Sequence, residues 1–420
     1  MVTKDRIDQL AIFTAPPAFD EPLHVGRPNI PDRGRLIARL NDMLDRRWLT
    51  NAGPYVMEFE RKLTDLLGVP HVVAMTNATL ALELVADALA WQGEVILPSF
   101  TFIATAHALR RRGLHPVFCD VDPRTHNLDP QKVEAAITPR TAAIVGVHVW
   151  GRPCAIEELE AIARRHRLGL VFDAAHALGC TSGGRPIGGF GDAEVFSFHA
   201  TKVVSTFEGG AVATNSAELA GRLIHLRNFG FDGEDHVARL GTNAKMPEVS
   251  AAMGLGGLES LSGWVEVNRR NYHDYRAQFH GVAGMEIVPY DESERCNYQY
   301  VVACVDAEAA GLTRDQLCAV LWAENVLARR YFHPGCHRLE PYRSEVRDHS
   351  PVLPVTERLT ESVLALPSST AIGQQEIEGI GRIVRLCLEH GDIVRRRLEA
   401  KAVPLNAAAP SLAPSPSRLT

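Results

Sequence analysis

A chain of 420 residues is longer than one hydrophobic core usually organises, so two domains are expected. Its 46% hydrophobic and 22% charged residues suit a soluble globular protein, and a formal net charge of −6 argues against nucleic acid or an anionic membrane as the main partner. The eight cysteines are scattered with no CxxC pair, the usage of reduced thiols rather than of a disulfide framework.

The chain starts with MVTKDRIDQLAIFTAPP, which lacks the apolar run of a signal peptide, and no window is long and uncharged enough for a transmembrane helix. A cytoplasmic protein is the expectation. Residues 1–30, with PPAFDEPLHVGRPNIP, are too rich in proline for regular structure and are expected to wrap on another domain or subunit. From about 50 to 260 short apolar runs alternate with helix-period segments. HVVAMTN (71–77) predicts a strand and TLALELVADALAWQG (79–93) a helix stopped by Gly93. EVILPS (94–99) predicts a strand, TFIATAHALRRRG (101–113) a helix, and HPVFCDVD (115–122), TAAIVGVHV (141–149) and LGLVFDAAHA (168–177) further strands. AIEELEAIARRH (155–166) supplies a helix between the last two. Near-continuous apolar strands separated by helices indicate a mostly parallel sheet covered on both faces.

After about 260 the texture changes. Helices are expected over 261–281, 313–326 and 376–401, with a strand at 297–305, which suggests a smaller α+β domain. The partition is then an arm at 1–30, a large domain at 31–260, a small one at 261–402, and a Pro/Ala/Ser-rich disordered tail at 403–420.

Three places carry chemistry. In TNATLALEL a strand gives way to a helix through Asn77-Ala78-Thr79, which is either an ordinary N-cap or an anion site made by free N–H groups and the Thr79 hydroxyl. In LGLVFDAAHALG, Asp173 stands at the end of a buried strand, with His176 three residues on; they are either a capping carboxylate and a core histidine or contacts to one ligand. In VFSFHATKVVSTFEGGAVATN, Lys202 lies in an apolar, glycine-bounded run with Ser197 before it and Glu208 after it. It is either a surface lysine or an amine whose pKa falls in a dry pocket. Neither a GxGxxG fingerprint nor a P-loop occurs. Together, a lysine, a strand-end aspartate, a hydroxyl-bearing helix start and the phenylalanines of PSFTF are what pyridoxal phosphate needs.

The blocks LTNAGPYVMEFERKL, TNATLALELV, PSFTFIATAHAL, PVFCDVDPRTHNLDP, VGVHVWGRPC, FDAAHALGC, FSFHATKVVSTFEGGAVATN and GTNAKMPEVSAAMGLGGLESL carry a resemblance that covers about residues 24–395. The chain resembles the DegT/DnrJ/EryC1/StrS family of sugar aminotransferases. The resemblance implies an α/β, fold-type-I transferase of the aspartate aminotransferase kind, with pyridoxal 5′-phosphate as cofactor and pyridoxamine phosphate as its amino form. It places Lys202 at the covalent anchor, Asp173 facing the pyridine nitrogen, and His176 against the ring or its phenolic oxygen. Ala78, Thr79 and Ser197 fall on phosphate positions, Phe102 on the stacking aromatic, and Asn243 on an asparagine that reaches the neighbouring subunit's cofactor phosphate. A homodimer with shared active sites, alone or paired into a dimer of dimers, follows. A related dehydratase branch has histidine in place of the lysine, so Lys202 favours transamination; Phe207 departs from the small or polar residue common there.

The family reaction would take the amino group of L-glutamate to a nucleotide-linked keto-6-deoxysugar for deoxyaminosugar biosynthesis. PLHVGRPNI, RRWLTNAGPYV, GVHVWGRPC and ERCNYQY look most like the enzymes making dTDP-4-amino-4,6-dideoxyglucose; a 3-keto sugar, a GDP-linked sugar or an inosose are the alternatives. Arg227, Asn228, Tyr298, Arg329, Arg330, Tyr331 and His333 are candidates for the sugar or its diphosphate. A regulatory protein on the same fold would carry a basic DNA-binding domain, and a cysteine desulfurase would need Cys336 on a mobile loop; neither fits the blocks. No metal is expected: His333, Cys336 and His337 would strain tetrahedral zinc.

Overall fold

The apolar runs assemble into one seven-stranded sheet in the computed structural model, which describes residues 1–345 and 351–400. The expected tail at 403–420 lies outside the described residues. The strands are β1 (His71–Met75), β2 (Glu94–Pro98), β3 (His115–Cys119), β4 (Thr141–Val147), β5 (Gly169–Asp173), β6 (Ala193–Ser197) and β7 (Gly210–Thr214), in the order β1-β7-β6-β5-β4-β2-β3. Only β7 is antiparallel to its neighbours. Strands such as β2 and β7 are buried along their whole length, because helices cover both faces; that is why they read as unbroken apolar runs.

Helices α1 (Arg33–Arg46), α2 (Pro54–Leu67), α3 (Ala78–Ala88), α4 (Ile103–Arg111), α5 (Ile156–His166), α6 (Ala217–Leu226) and α7 (Glu248–Phe279) pack around this sheet. α2 opens on Pro54 at its first position and buries Val56, Phe59, Leu63 and Leu67, one stripe at helical spacing. α5 does the same with Ile156, Leu159 and Ile162.

α7 differs from expectation. It begins at Glu248, thirteen residues before the expected start at 261, and runs unbroken for 32 residues. Its first turns, EVSAAMGLGGLE, look unfavourable because each glycine in a helix interior costs about 1 kcal/mol relative to alanine. Packing reverses that. A Cβ at Gly254 would meet Phe59 at 2.6 Å and Thr206 at 2.8 Å, and one at Gly257 would meet Val204 at 2.8 Å. The glycine face therefore lies directly on the loop that carries Lys202. Glu248, fully buried, accepts the N–H groups of Tyr55 (2.9 Å) and Val56 (3.0 Å) and so caps α2 from a distance.

The second half of α7 backs a three-stranded antiparallel sheet, β8 (Met285–Ile287), β9 (Val301–Val305) and β10 (Val363–Leu366), with α8 (Arg314–Ala323), α9 (Gln374–Glu389) and α10 (Gly391–Ala400). The terminal helix expected as one piece is two, α9 and α10, parted at His390. The strand expected at 297–305 pairs only from Val301, because residues before it serve as ties. Asn297 donates to the carbonyls of His176 (2.8 Å) and Leu178 (3.1 Å), and Gln299 to that of Thr201 (2.9 Å).

The N-terminal arm is more regular than its prolines suggested. It forms two 3-10 turns, Ile7–Gln9 and Ala11–Phe13, and then a two-residue strand, Leu23–His24, parallel to Val326–Leu327. Among the described residues no helix is long and apolar enough to cross a membrane.

Candidate active site

The C-terminal ends of the parallel strands open into a cavity of about 660 Å³. Carboxyl ends of parallel strands are where α/β sheets place ligands, since the strand carbonyls and the following helix starts converge there. One end of the cavity is built by the turn from β1 into α3. Asn77 caps α3 by accepting the Leu80 N–H on its side chain (2.8 Å), and its carbonyl takes the Ala81 N–H (3.1 Å). The N–H groups of Ala78 and Thr79 are left over at a helix N-terminus, the requirement for an anion. Gly210 lets β7 come this close: a Cβ there would meet the Ala78 nitrogen at 2.5 Å. Ser197, at the end of β6, lines the same end.

Asp173 ends β5, between β4 and β6, and its carboxyl is buried. Burial pushes its pKa up, while the Thr105 hydroxyl (2.8 Å to Oδ2), the Ala175 N–H (3.1 Å to Oδ1) and nearby Lys202 oppose that rise. The backbone is held as well, since the His148 N–H donates to the Asp173 carbonyl (3.0 Å). Behind it, the fully buried His148 ring accepts the Cys154 N–H on Nδ1 (3.0 Å), which leaves the proton on Nε2 to meet Glu194 at 3.0 Å.

Lys202 sits in the 198–209 loop between β6 and β7, a loop fastened by Phe198 N–H to Gly209 carbonyl (2.8 Å) and Thr206 N–H to Phe198 carbonyl (2.9 Å). Burial lowers its pKa to about 8, with Asp173 pulling the other way. Its Nζ lies 3.5 Å from the Tyr300 hydroxyl. His176 accepts the Trp150 N–H on Nδ1 (3.2 Å). Burial first, then Lys202, hold its pKa well below the ordinary value, so it is a neutral imidazole with its proton on Nε2. Phe102 caps α4 at the cavity edge and is 59% exposed, an uncovered ring of the kind that stacks on a flat ligand.

The structure thus gathers Ala78, Thr79, Phe102, Asp173, His176, Ser197, Lys202 and Tyr331 around one cavity. The remaining candidates are engaged elsewhere. Arg227 donates to Glu60 (2.6 Å) and to the Ala74 carbonyl (2.8 Å), beneath the sheet. Asn228 accepts the Lys245 amine (2.8 Å). Tyr298 is buried against Tyr290 and Tyr272, at ring separations of 4.8 and 5.3 Å. Arg330 pairs with Asp315 (3.2 Å) and lies over Trp322, whereas Arg329 and Tyr331 line the cavity. Extended backbone sends neighbours to opposite sides, which adjacency in RRYFHP concealed. His333 is exposed and outside the lining, and Asn243, exposed, pairs across a bridge with Asn228 outside this chain's own cavity. Cys336 is buried with its thiol on the Thr101 carbonyl (3.3 Å), the wrong setting for a mobile nucleophile.

Sequence reasoning missed Thr105, Trp150 and Tyr300, which orient Asp173, His176 and Lys202. Thr105 lies in the quoted block PSFTFIATAHAL, one helical turn after Thr101, and only the strand-to-helix register could have singled it out. The residues fit pyridoxal phosphate on chemistry alone. Two free N–H groups and a hydroxyl suit the phosphate, a buried carboxyl suits a cationic ring nitrogen, and an amine with a lowered pKa suits the aldehyde.

Comparison with known proteins agrees. Residues 32–385 match the DegT/DnrJ/EryC1/StrS aminotransferase family. Over 369 residues the chain is 37% identical to a dTDP-4-amino-4,6-dideoxy-D-glucose transaminase of Shigella dysenteriae, covering 87% of this chain and 99% of that one. A GDP-perosamine synthase of Caulobacter vibrioides is 34% identical over 81% of this chain and 91% of its own. The crystal structure of DesI in the presence of its TDP-sugar product superposes with a TM-score of 0.90 at 52% identity, over 94% of this chain and 100% of that one. With the loop lysine, the strand-end aspartate and the helix start in one cavity, these likenesses leave one assignment: the chain belongs to the DegT/DnrJ/EryC1/StrS aminotransferase family and uses pyridoxal phosphate.

Proposed function

We propose that the protein transfers the amino group of L-glutamate to the keto carbon of dTDP-4-keto-6-deoxy-D-glucose, giving dTDP-4-amino-4,6-dideoxy-D-glucose. The observation that carries the reaction type is the shared cavity of Lys202 and Asp173, roomy enough for a cofactor and a sugar at about 660 Å³. The choice of sugar is supported by the 52% identity to DesI, whose structure was determined with a TDP-sugar product, and by the Shigella transaminase.

When bound, the cofactor supplies an aldehyde carbon and a pyridinium ring that draws electrons away from the donor's Cα. Lys202 would hold it by its amine, Ala78, Thr79 and Ser197 by its phosphate, Asp173 by its ring nitrogen, with Phe102 and His176 against the ring. The Lys202 amine, once free, would take the proton from Cα of the amino donor and pass it to the cofactor's aldehyde-derived carbon, and in the second half-reaction would take a proton back from there and give it to the sugar carbon. A pKa near 8 leaves a useful fraction of free base at neutral pH and a conjugate acid that still gives its proton back. Thr105 and the Ala175 N–H favour the ionised form of Asp173 against the effect of its burial, and a cationic ring nitrogen would add to that. The neutral His176 donates from Nε2 to an oxygen.

A homodimer completes the reading: Asn243 is exposed and outside its own cavity, and in an assembly of two copies it would serve the partner's phosphate end. The test is to supply glutamate with a panel of dTDP-linked 4-keto and 3-keto sugars and read products by mass spectrometry. The 4-keto-6-deoxyglucose is expected to gain an amine in place of its carbonyl; no amino sugar from any member would overturn the assignment.

A further inference from the structure

Residues 1–31 precede the segment that matches the family, yet they supply part of the cavity wall. The arm is anchored by a buried ion pair. Lys4 (2% exposed) and Glu324 (0%) lie 3.5 Å apart, Lys4 donates to the carbonyls of Gln9 (2.7 Å) and Pro16 (2.5 Å), and Glu324 accepts the N–H groups of Ala11 (2.6 Å) and Ala18 (2.7 Å). Lys4 thus ties the arm to itself, and Glu324, at α8's C-terminal end, holds it there through Lys4, Ala11 and Ala18. From there the chain runs as Leu23–His24 along Val326–Leu327, with the Leu23 N–H on the Asn325 carbonyl (2.8 Å).

The next residues cross the Lys202 loop. Gly26, at φ +71°, lies so close to Thr201 that a Cβ would meet its Cβ at 2.9 Å. Asn29 donates to the Val203 carbonyl (3.1 Å) and accepts the Thr370 hydroxyl (2.7 Å). The strap thus touches both neighbours of Lys202, and between these two contacts stands Arg27. His24, Arg27 and Arg329 line the cavity together, and among the described residues neither arginine forms an ion pair with a carboxylate. Two guanidinium groups lining one cavity, one exposed and one half-buried over the Tyr331 ring and neither paired with a carboxylate among the described residues, suit a polyanion.

We infer that the N-terminal strap is a substrate-binding element, in which Arg27 together with Arg329 takes the diphosphate of the nucleotide sugar and the Lys4–Glu324 latch positions it; this rests on the nucleotide-sugar reading above. The arrangement suits a diphosphate better than the small amino donor. The reacting carbon must lie at Lys202, deep in the cavity, while Arg27 is exposed at the rim, so its anion belongs to a substrate long enough to span both. Arg27 is the binding residue of the pair that the family match does not contain. Lys4 and Glu324 touch no substrate and act through the strap.

The test uses the holoenzyme and thymidine diphosphate as the probe, followed by titration calorimetry, beside stopped-flow absorbance of the glutamate half-reaction. Arg27→Ala is expected to weaken the nucleotide about ten- to a hundredfold, the weight of a charge-assisted hydrogen bond, with the glutamate half-reaction unchanged and Arg27→Lys recovering part of the loss. The double variant Lys4→Met/Glu324→Gln is expected to weaken the nucleotide several-fold through KM of the sugar rather than kcat. Nucleotide affinity unaltered in Arg27→Ala would overturn the strap's role alone. Wild-type enzyme that reacts with glutamate but binds no thymidine diphosphate would overturn the nucleotide reading itself. Equal losses in both half-reactions would show Arg27 acting on the fold or the cofactor, which also refutes the inference.

Discussion

The two sides of the cavity are built differently. On the sheet side, Asp173, Ser197 and the α3 start sit at the ends of buried strands of one sheet, and partners hold them there, such as Thr105 on Asp173 and Asn77 on the helix. On the other side, residues 24–28, Tyr300 and 327–332 come from short pairings and connecting segments, and among the described residues the two arginines that line the cavity there, Arg27 and Arg329, form no ion pair with a carboxylate. The contrast teaches where each job belongs. Chemistry on the cofactor needs atoms fixed to fractions of an ångström, which a sheet provides; recognition of a variable substrate tolerates connecting segments, which can change without disturbing the strands.

The largest effect that would break this division lies at Lys202. Lys202→Ala should abolish the yellow, borohydride-reducible adduct with the cofactor and lower kcat roughly ten-thousandfold, the loss of a nucleophile and a proton carrier at once. Uptake of pyridoxal phosphate by cofactor-free wild-type protein should quicken as pH rises and level off above about 8. The reason is that burial lowers the Lys202 pKa, and only the deprotonated amine reacts. Borohydride labelling that survives the substitution would mean another lysine carries the cofactor.

A smaller loss is expected at a residue that only supports Asp173. Thr105→Val removes the hydroxyl that stabilises the ionised carboxyl, so burial raises the Asp173 pKa further and the ring nitrogen loses part of its counter-charge. Both half-reactions should slow roughly tenfold, as for one charge-assisted hydrogen bond, and Thr105→Ser should restore them. If only the sugar half-reaction slowed, the sheet side would not be serving the cofactor alone.

The same contrast explains what was legible in the sequence. Strand ends and helix starts leave periodic signals, so Asp173 and the Ala78–Thr79 turn could be picked out by position along an alternating pattern, while Lys202 stood out as a lone charge in an apolar, glycine-bounded run. The start of α7 could not, because its glycines lower helix propensity and only the contacts of Gly254 and Gly257 with Phe59, Thr206 and Val204 explain them. On the substrate side no period exists to read. Arg227 and Arg330 looked as eligible as Arg329 until Glu60 and Asp315 were seen to occupy them, and Arg27 stood in a segment whose prolines hid its role. Partner choice among charged side chains is a property of tertiary contacts, which local spacing does not encode.

The smallest effect would be the sharpest on the strap. Gly26 has a positive φ and lies against Thr201, so alanine there meets two costs: about 1–2 kcal/mol for a Cβ in a left-handed conformation, and the close approach to the Thr201 Cβ at 2.9 Å and carbonyl at 3.2 Å. The backbone carbonyl cannot yield, being held by Gln299 at 2.9 Å, so the strap must move instead. Moving it shifts Arg27 while the strands keep Asp173 in place. Gly26→Ala should therefore raise KM for the sugar nucleotide about three- to tenfold and leave the glutamate half-reaction within a factor of two. An equal slowing of both would mean that the strap bears on Lys202 through Thr201, and that the two sides of the cavity are one mechanical unit.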